Sequence, residues 1–243
     1  MEVREKIALS AFAVAALVLF TALYTMTVAE GVNAFYNKYG PELAPNMVTL
    51  VVFDFRGYDT LGECVILVTG VLAVSMLYGR GLLAGDIHEE DFPQAQGTPV
   101  LRMYAPLILP LVAALGVYVA LGGHITPGGG FQGGSIVGAG MLLALLVLGR
   151  KSVDVNHEFL VKMESLGLLI YIFLGVAGLA LTGFFLYNVG ANFYNLVPNE
   201  IATVFNYPDG LKAGIVPYLN LSVLIKVSAG LTTIALILLG AKK

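Results

Sequence analysis

Residues 122–140 read GGHITPGGGFQGGSIVGAG, nine glycines around one proline and one histidine, and run directly into the apolar stretch MLLALLVL at 141–148. Irregular backbone at the mouth of a lipid-length segment is tolerated only where protein or a water-lined cavity covers it. The expected fold is therefore all-α and polytopic, with a Gly/Pro-rich break ahead of one membrane helix. Composition agrees: 58% hydrophobic residues, 12% charged residues and a mean hydropathy of +0.84 leave too little polar surface for a water-soluble domain of 243 residues.

Working outward from the break, six segments are apolar enough to cross a hydrocarbon core that needs roughly 17 to 25 helical residues. They lie at 7–29, 60–79, 104–122, 131–149, 165–187 and 217–240. The first is longer than a signal-peptide core and reads as a retained transmembrane helix. An even number of spans puts both termini on one side. Nine Lys and Arg residues fall on that side and three on the other, so both termini are expected to be cytoplasmic in a multi-pass cell-membrane protein. Residues 1–80 read as a two-helix segment, 81–98 as an acidic cytoplasmic linker, and 99–243 as a four-helix domain. The loop at 188–216 carries five asparagines and is expected to form a folded cap.

A net charge of −3 with scattered basic residues gives no reason to expect nucleic acid as a partner. The single cysteine, Cys64, excludes an internal disulfide and any multi-cysteine cluster, and no cofactor or metal motif is present. A phosphate loop is excluded because no Gly-Lys-Ser/Thr follows the glycines.

Four groups of residues carry possible chemistry. Gly130, Gly134 and Gly138 recur every fourth residue and make a smooth groove for helix packing; the freed amides ahead of Phe131 also present a partial positive charge. His124 beside the break reads either as a hydrogen-bonding brace or as a proton relay, given its unperturbed pKa of about 6.5. In VVFDFRGYDTLGE at 51–63, Asp59 or Thr60 is expected to cap the second span, with Glu63 in its first turn and Arg56 paired to Asp54 or Asp59. Glu63 opens an apolar run and is costly there unless partnered or hydrated. Lys226 lies well inside the last span, sharing a face with Ser222, Gly230 and Thr233. It reads either as a buried relay or ion pair, or as a snorkelling side chain. By the span order, Glu63, His124 and Lys226 belong to the outer half of the membrane.

GGHITPGGGFQGG followed by an apolar helix, with NLSVLIKVSAGL near the C-terminus, resembles the B subunit of Mrp-type multisubunit sodium/proton antiporters over roughly 99–240. APNMVTLVVFDFRGYDTLGE is similar to the C-terminal segment of the large A subunit of those systems, which stands alone as a small subunit in membrane-bound hydrogenase complexes. The resemblance implies a small subunit that helps form a sodium and proton path. Its partners would be other antiporter subunits, the lipid bilayer and, in a redox-driven version, a hydrogenase or reductase arm carrying metal clusters. The chain would not be catalytic alone. The ion or proton candidates carried over are Glu63, Lys226, His124, Asp59, Asp54 and Arg56. Two alternatives stand beside this reading: a purely structural adaptor, and a redox subunit that binds quinone or lipid near the loop at 188–216.

Overall fold

The computed structural model describes residues 3–26, 31–78, 97–150, 153, 155–206 and 213–240. The described residues are helical, with turns between: α1 (Val3–Thr25), α2 (Asn33–Leu43), α3 (Met47–Leu50), a π-helical turn at Val51–Phe55, α4 (Gly57–Leu77), α5 (Pro99–Leu121), α6 (Gly130–Leu148), α7 (His157–Thr182), α8 (Asn199–Phe205) and α9 (Val216–Leu239). The chain divides into two units, 1–35 and 36–243.

The first unit contains α1, whose apolar part, Leu9–Thr25, is shorter than a full span. In the second unit, α4, α5, α6, α7 and α9 are each long and apolar enough to cross a membrane. The six segments of the sequence thus appear as five full-length helices and one shorter one, with shifted ends. α5 starts at Pro99 because Thr98 accepts a hydrogen bond from Leu101 N and Pro99 occupies the first turn, where its missing N–H costs nothing. α7 starts at His157, eight residues earlier than expected, because Asn156 accepts from Glu158 N at 2.8 Å. It stops at Gly183, whose φ of 82° suits glycine.

The expected capping of α4 by Asp59 or Thr60 is not what forms. α4 begins at Gly57, and its N-cap residue, Arg56, makes no side-chain cap. Thr60 lies inside the first turn and donates to Val52 O at 2.7 Å, using a carbonyl of the preceding π turn. Asp59 pairs with Arg56 instead. The expected linker at 81–98 lies outside the described residues except for its last two.

α9 is the centre of the second unit and packs against α4, α5, α6 and α7. The α6–α9 seam is built on glycine. A methyl carbon at Gly134 would meet Val227 Cβ at 2.7 Å, one at Gly138 would meet Leu231 Cβ at 2.8 Å, and one at Gly130 would strike Asn220 O. Gly133, on another face of α6, lies against Gly116 and Ala120 of α5. One apolar core cluster joins the π turn, α4, α7, α9 and the loop after α7. A smaller one joins Leu145, Leu160, Ala229, Ala235 and Leu236.

Candidate functional site

Lys226 is fully buried, and its Nζ lies 3.3 Å from Oε1 of Glu164 on α7, itself 6% exposed. The helices touch closely here because Gly167 lies directly against the backbone of Lys226: a methyl carbon at Gly167 would stand 2.8 Å from both Lys226 N and Cβ. Gly230, one turn beyond Lys226, leaves room for the Glu164 carboxylate, since a methyl carbon there would come within 3.1 Å of Oε1. Two charges removed from water lose several kcal/mol of solvation each, and their mutual attraction offsets this only with good geometry. Such a pair is therefore a weak source of net stability.

Lys226 is ten residues past Val216, or about 15 Å along α9 at 1.5 Å per residue, which places it well inside the helix and close to its midpoint. Snorkelling is ruled out for a side chain with no exposed surface and a carboxylate partner.

Glu164 escapes a reading of the sequence alone. Glu158 and Lys162 make the start of α7 look like a polar entrance, so the apparent span begins only at Ser165. In the structure those two form an exposed pair at 2.7 Å on one face, while Leu160, Glu164, Gly167, Tyr171, Leu174 and Gly178 make the buried stripe. That stripe follows helical spacing and is the signal that could have found Glu164.

The glycine break is held by a clamp the sequence does not announce. Asn46, the N-cap of α3, accepts from Val48 N at 3.1 Å, and its Nδ2 reaches Gly123 O at 2.7 Å and Thr126 O at 2.9 Å. Thr49 donates to Gly123 O at 2.6 Å. Asn46 N donates to His124 O at 3.1 Å. From the other side, Asn220 Oδ1 accepts from Gly130 N at 2.8 Å and so caps α6 from within α9. His124 is 1% exposed. Burial pushes its pKa below the usual histidine range, against a backbone hydrogen bond with Leu121.

Asp54, in the π turn, accepts from Asn188 Nδ2 at 3.3 Å, and burial raises its carboxyl to about 6, the Asn188 hydrogen bond opposing. Asn188 also donates to Ala213 O and accepts from Ala191 N and Ile215 N, tying the loop after α7 to the start of α9. Arg56 and Asp59 form an exposed pair, worth about 0–1 kcal/mol. Glu63 is exposed on α4. The partner that the structure gives Lys226 is Glu164 of α7, a residue outside the group of Glu63, His124 and Lys226 singled out from the sequence.

Fold and site together define a polytopic helical membrane protein built around a charged pair sealed inside its bundle. Residues 100–233 match the family described as a domain related to the MnhB subunit of Na+/H+ antiporter, and the chain belongs to that family. Both the glycine break and NLSVLIKVSAGL fall within the matched residues. The chain is 39% identical over 248 residues, 96% of this chain and 90% of the relative, to an uncharacterized protein of Methanocaldococcus jannaschii. It is 30% identical over 151 residues, 54% of this chain and 15% of the other, to a protein of Rhizobium meliloti named as the probable A/B subunit of a K(+)/H(+) antiporter. Among solved structures it resembles a chain of the membrane-bound sulfane sulfur reductase, an archaeal respiratory membrane complex, with a TM-score of 0.67, 25% identity and coverage of 98% of this chain and 99% of that one. A chain of the Mrp complex from Dietzia sp. shares the fold at a TM-score of 0.64 and 23% identity, covering 100% of this chain and 27% of that one.

Proposed function

We propose that this chain is a small membrane subunit of a cation/proton antiporter module, non-catalytic by itself, in which the Lys226–Glu164 pair is a charge-bearing step of the translocation path. Family membership supports the antiporter setting. The likeness to a respiratory membrane complex supports a redox-driven parent assembly with a reductase arm. One observation carries the role of the pair: an ammonium with no exposed surface faces a carboxylate at mid-helix, where each charge is costly unless it is used. A proton or cation arriving at Glu164 weakens its hold on Lys226, and the freed ammonium alters the affinity of the next group for positive charge. In the same proposal both termini face the cytoplasm, following the Lys and Arg distribution.

The test is proton movement driven by a sodium gradient in vesicles holding the assembled complex. Glu164→Gln and Lys226→Met are each expected to abolish coupled exchange. The double variant, which removes both charges together, should restore assembly without restoring exchange. Wild-type exchange by the double variant would reduce the pair to a structural adaptor between α7 and α9.

A further inference from the structure

On the Lys226 side the buried pair is closed to an arriving ion. Lys226 has no exposed surface, and of the three N–H bonds of its ammonium one finds an acceptor among the described residues, Glu164 Oε1 at 3.3 Å. An ammonium short of partners away from water is costly, and the cost falls when a neighbouring element moves aside. Side chains of three helices meet here: a methyl carbon at Gly230 of α9 would stand 3.1 Å from Glu164 Oε1 on α7 and 3.5 Å from Leu67 Cδ2 on α4. Two of the three are locked together, since a methyl carbon at Gly167 of α7 would strike Ser222 O of α9 at 2.6 Å. The third is not. Gly62 and Gly70 of α4 meet nothing within 4 Å, and its contact with α7 is slight. What ties α4 to α7 is the hydroxyl of Tyr171, a fully buried residue two turns beyond Glu164 on the same stripe, which donates to Gly57 O in the first turn of α4 at 2.7 Å. The side-chain hydrogen bonds of Thr60 to Val52 O and of Thr69 to Val65 O stay within α4 and the π turn before it.

We propose that α4 is a movable wall over the buried pair and that the Tyr171 hydroxyl is its latch, which makes Tyr171 a positioning residue for the exchange assigned to Lys226 and Glu164. The inference rests on that assignment. With the latch made, Leu67 stays beside the carboxylate; with it released, the first turns of α4 leave α7 and water reaches the ammonium. Losing one net hydrogen bond multiplies the released population by up to about tenfold. An ion that binds only the released form is then captured at a proportionally lower concentration.

Cys64, the single cysteine of the chain, reports on the wall, being 1% exposed on α4 inside the core cluster it shares with Tyr171. In the purified complex its modification by a water-soluble methanethiosulfonate, followed by the mass of this chain, is slow in the wild type and rises up to about tenfold in Tyr171→Phe. Gly140→Ala, which crowds Val112 of α5 at 3.2 Å, keeps the wild-type labelling rate. In vesicles holding the complex, the sodium concentration for half-maximal exchange falls up to about tenfold in Tyr171→Phe, whereas a merely structural tyrosine would lower the maximal rate and leave half-saturation where it was. Unchanged labelling in Tyr171→Phe, an equal rise in Gly140→Ala, or an unchanged half-saturating sodium concentration overturns the proposal. Labelling needs no transport, so it reads the wall even where wild-type exchange by Glu164→Gln removes the role of the pair.

Discussion

At the scale of single residues, the cost of Lys226 is set by what is left behind when it goes. Lys226→Ala strands the buried Glu164 carboxylate without its partner, and breaking a buried pair in this way costs about 3–5 kcal/mol. Exchanging both residues for neutral side chains of similar volume should cost far less. Thermal unfolding of the purified complex should therefore rank Lys226→Ala well below the Glu164→Gln/Lys226→Met double variant. Asp54 carries a second expectation, of opposite character. Its carboxyl is held near 6 against an ordinary 3.8, so the folded chain keeps a proton that the unfolded chain surrenders between about pH 4 and 6. Stability contributed here is complete below that window and is lost as pH rises through it, by at most roughly 3 kcal/mol for about two pH units. Asp54→Asn should flatten this slope, read as the pH dependence of hydrogen exchange in the π turn and in the loop around Asn188.

At the scale of elements, the seam between α6 and α9 decides how close the central helices come. Gly134→Ala puts a methyl carbon 2.7 Å from Val227 Cβ, and overpacking of this kind costs about 1–3 kcal/mol. Gly62→Ala and Gly70→Ala on α4 meet nothing within 4 Å and should stay within about 0.5 kcal/mol of the wild type. A lowered melting midpoint for Gly134→Ala alone, among these three, checks the assignment. The groove itself was legible, because three glycines at fourfold spacing have a local meaning; the identity of α9 as the helix that fills it was not. The same division runs through the site. Lys226 stood out as the basic residue inside an apolar run, whereas Glu164 was hidden by the polar turn before it. Asn46, Asn188 and Asn220 act on Gly123, Asp54 and Gly130, each more than seventy residues away in sequence. An asparagine in a loop or a helix carries no local mark of such a partner. The α4 start moved for a related reason: Thr60 has the residue type of a cap but spends its hydroxyl on the carbonyl of a π turn that periodicity does not reveal.

At the scale of the whole molecule, α4 and α5 present broad apolar faces outside the chain, with Ile66 72%, Met76 74%, Leu107 66% and Leu111 64% exposed. Hydrocarbon satisfies such faces. Glu63 breaks the pattern, since it is exposed on α4 six residues past Gly57, about 9 Å along the helix. A carboxylate facing lipid at that depth is costly, and intramembrane carboxylates face protein or a hydrated cavity. A neighbouring subunit should therefore cover the Glu63 face of α4. Because Cys64 is the single cysteine of the chain, a Cys64→Ser background leaves one thiol to place. Glu63→Cys in that background should cross-link to a partner subunit in the assembled complex and resist a lipid-soluble maleimide, while Leu107→Cys serves as the reference for an apolar face. Ready maleimide labelling at position 63 with no cross-link would put the Glu63 side chain against lipid and remove it from the translocation candidates, leaving the Lys226–Glu164 pair to carry that role for this chain.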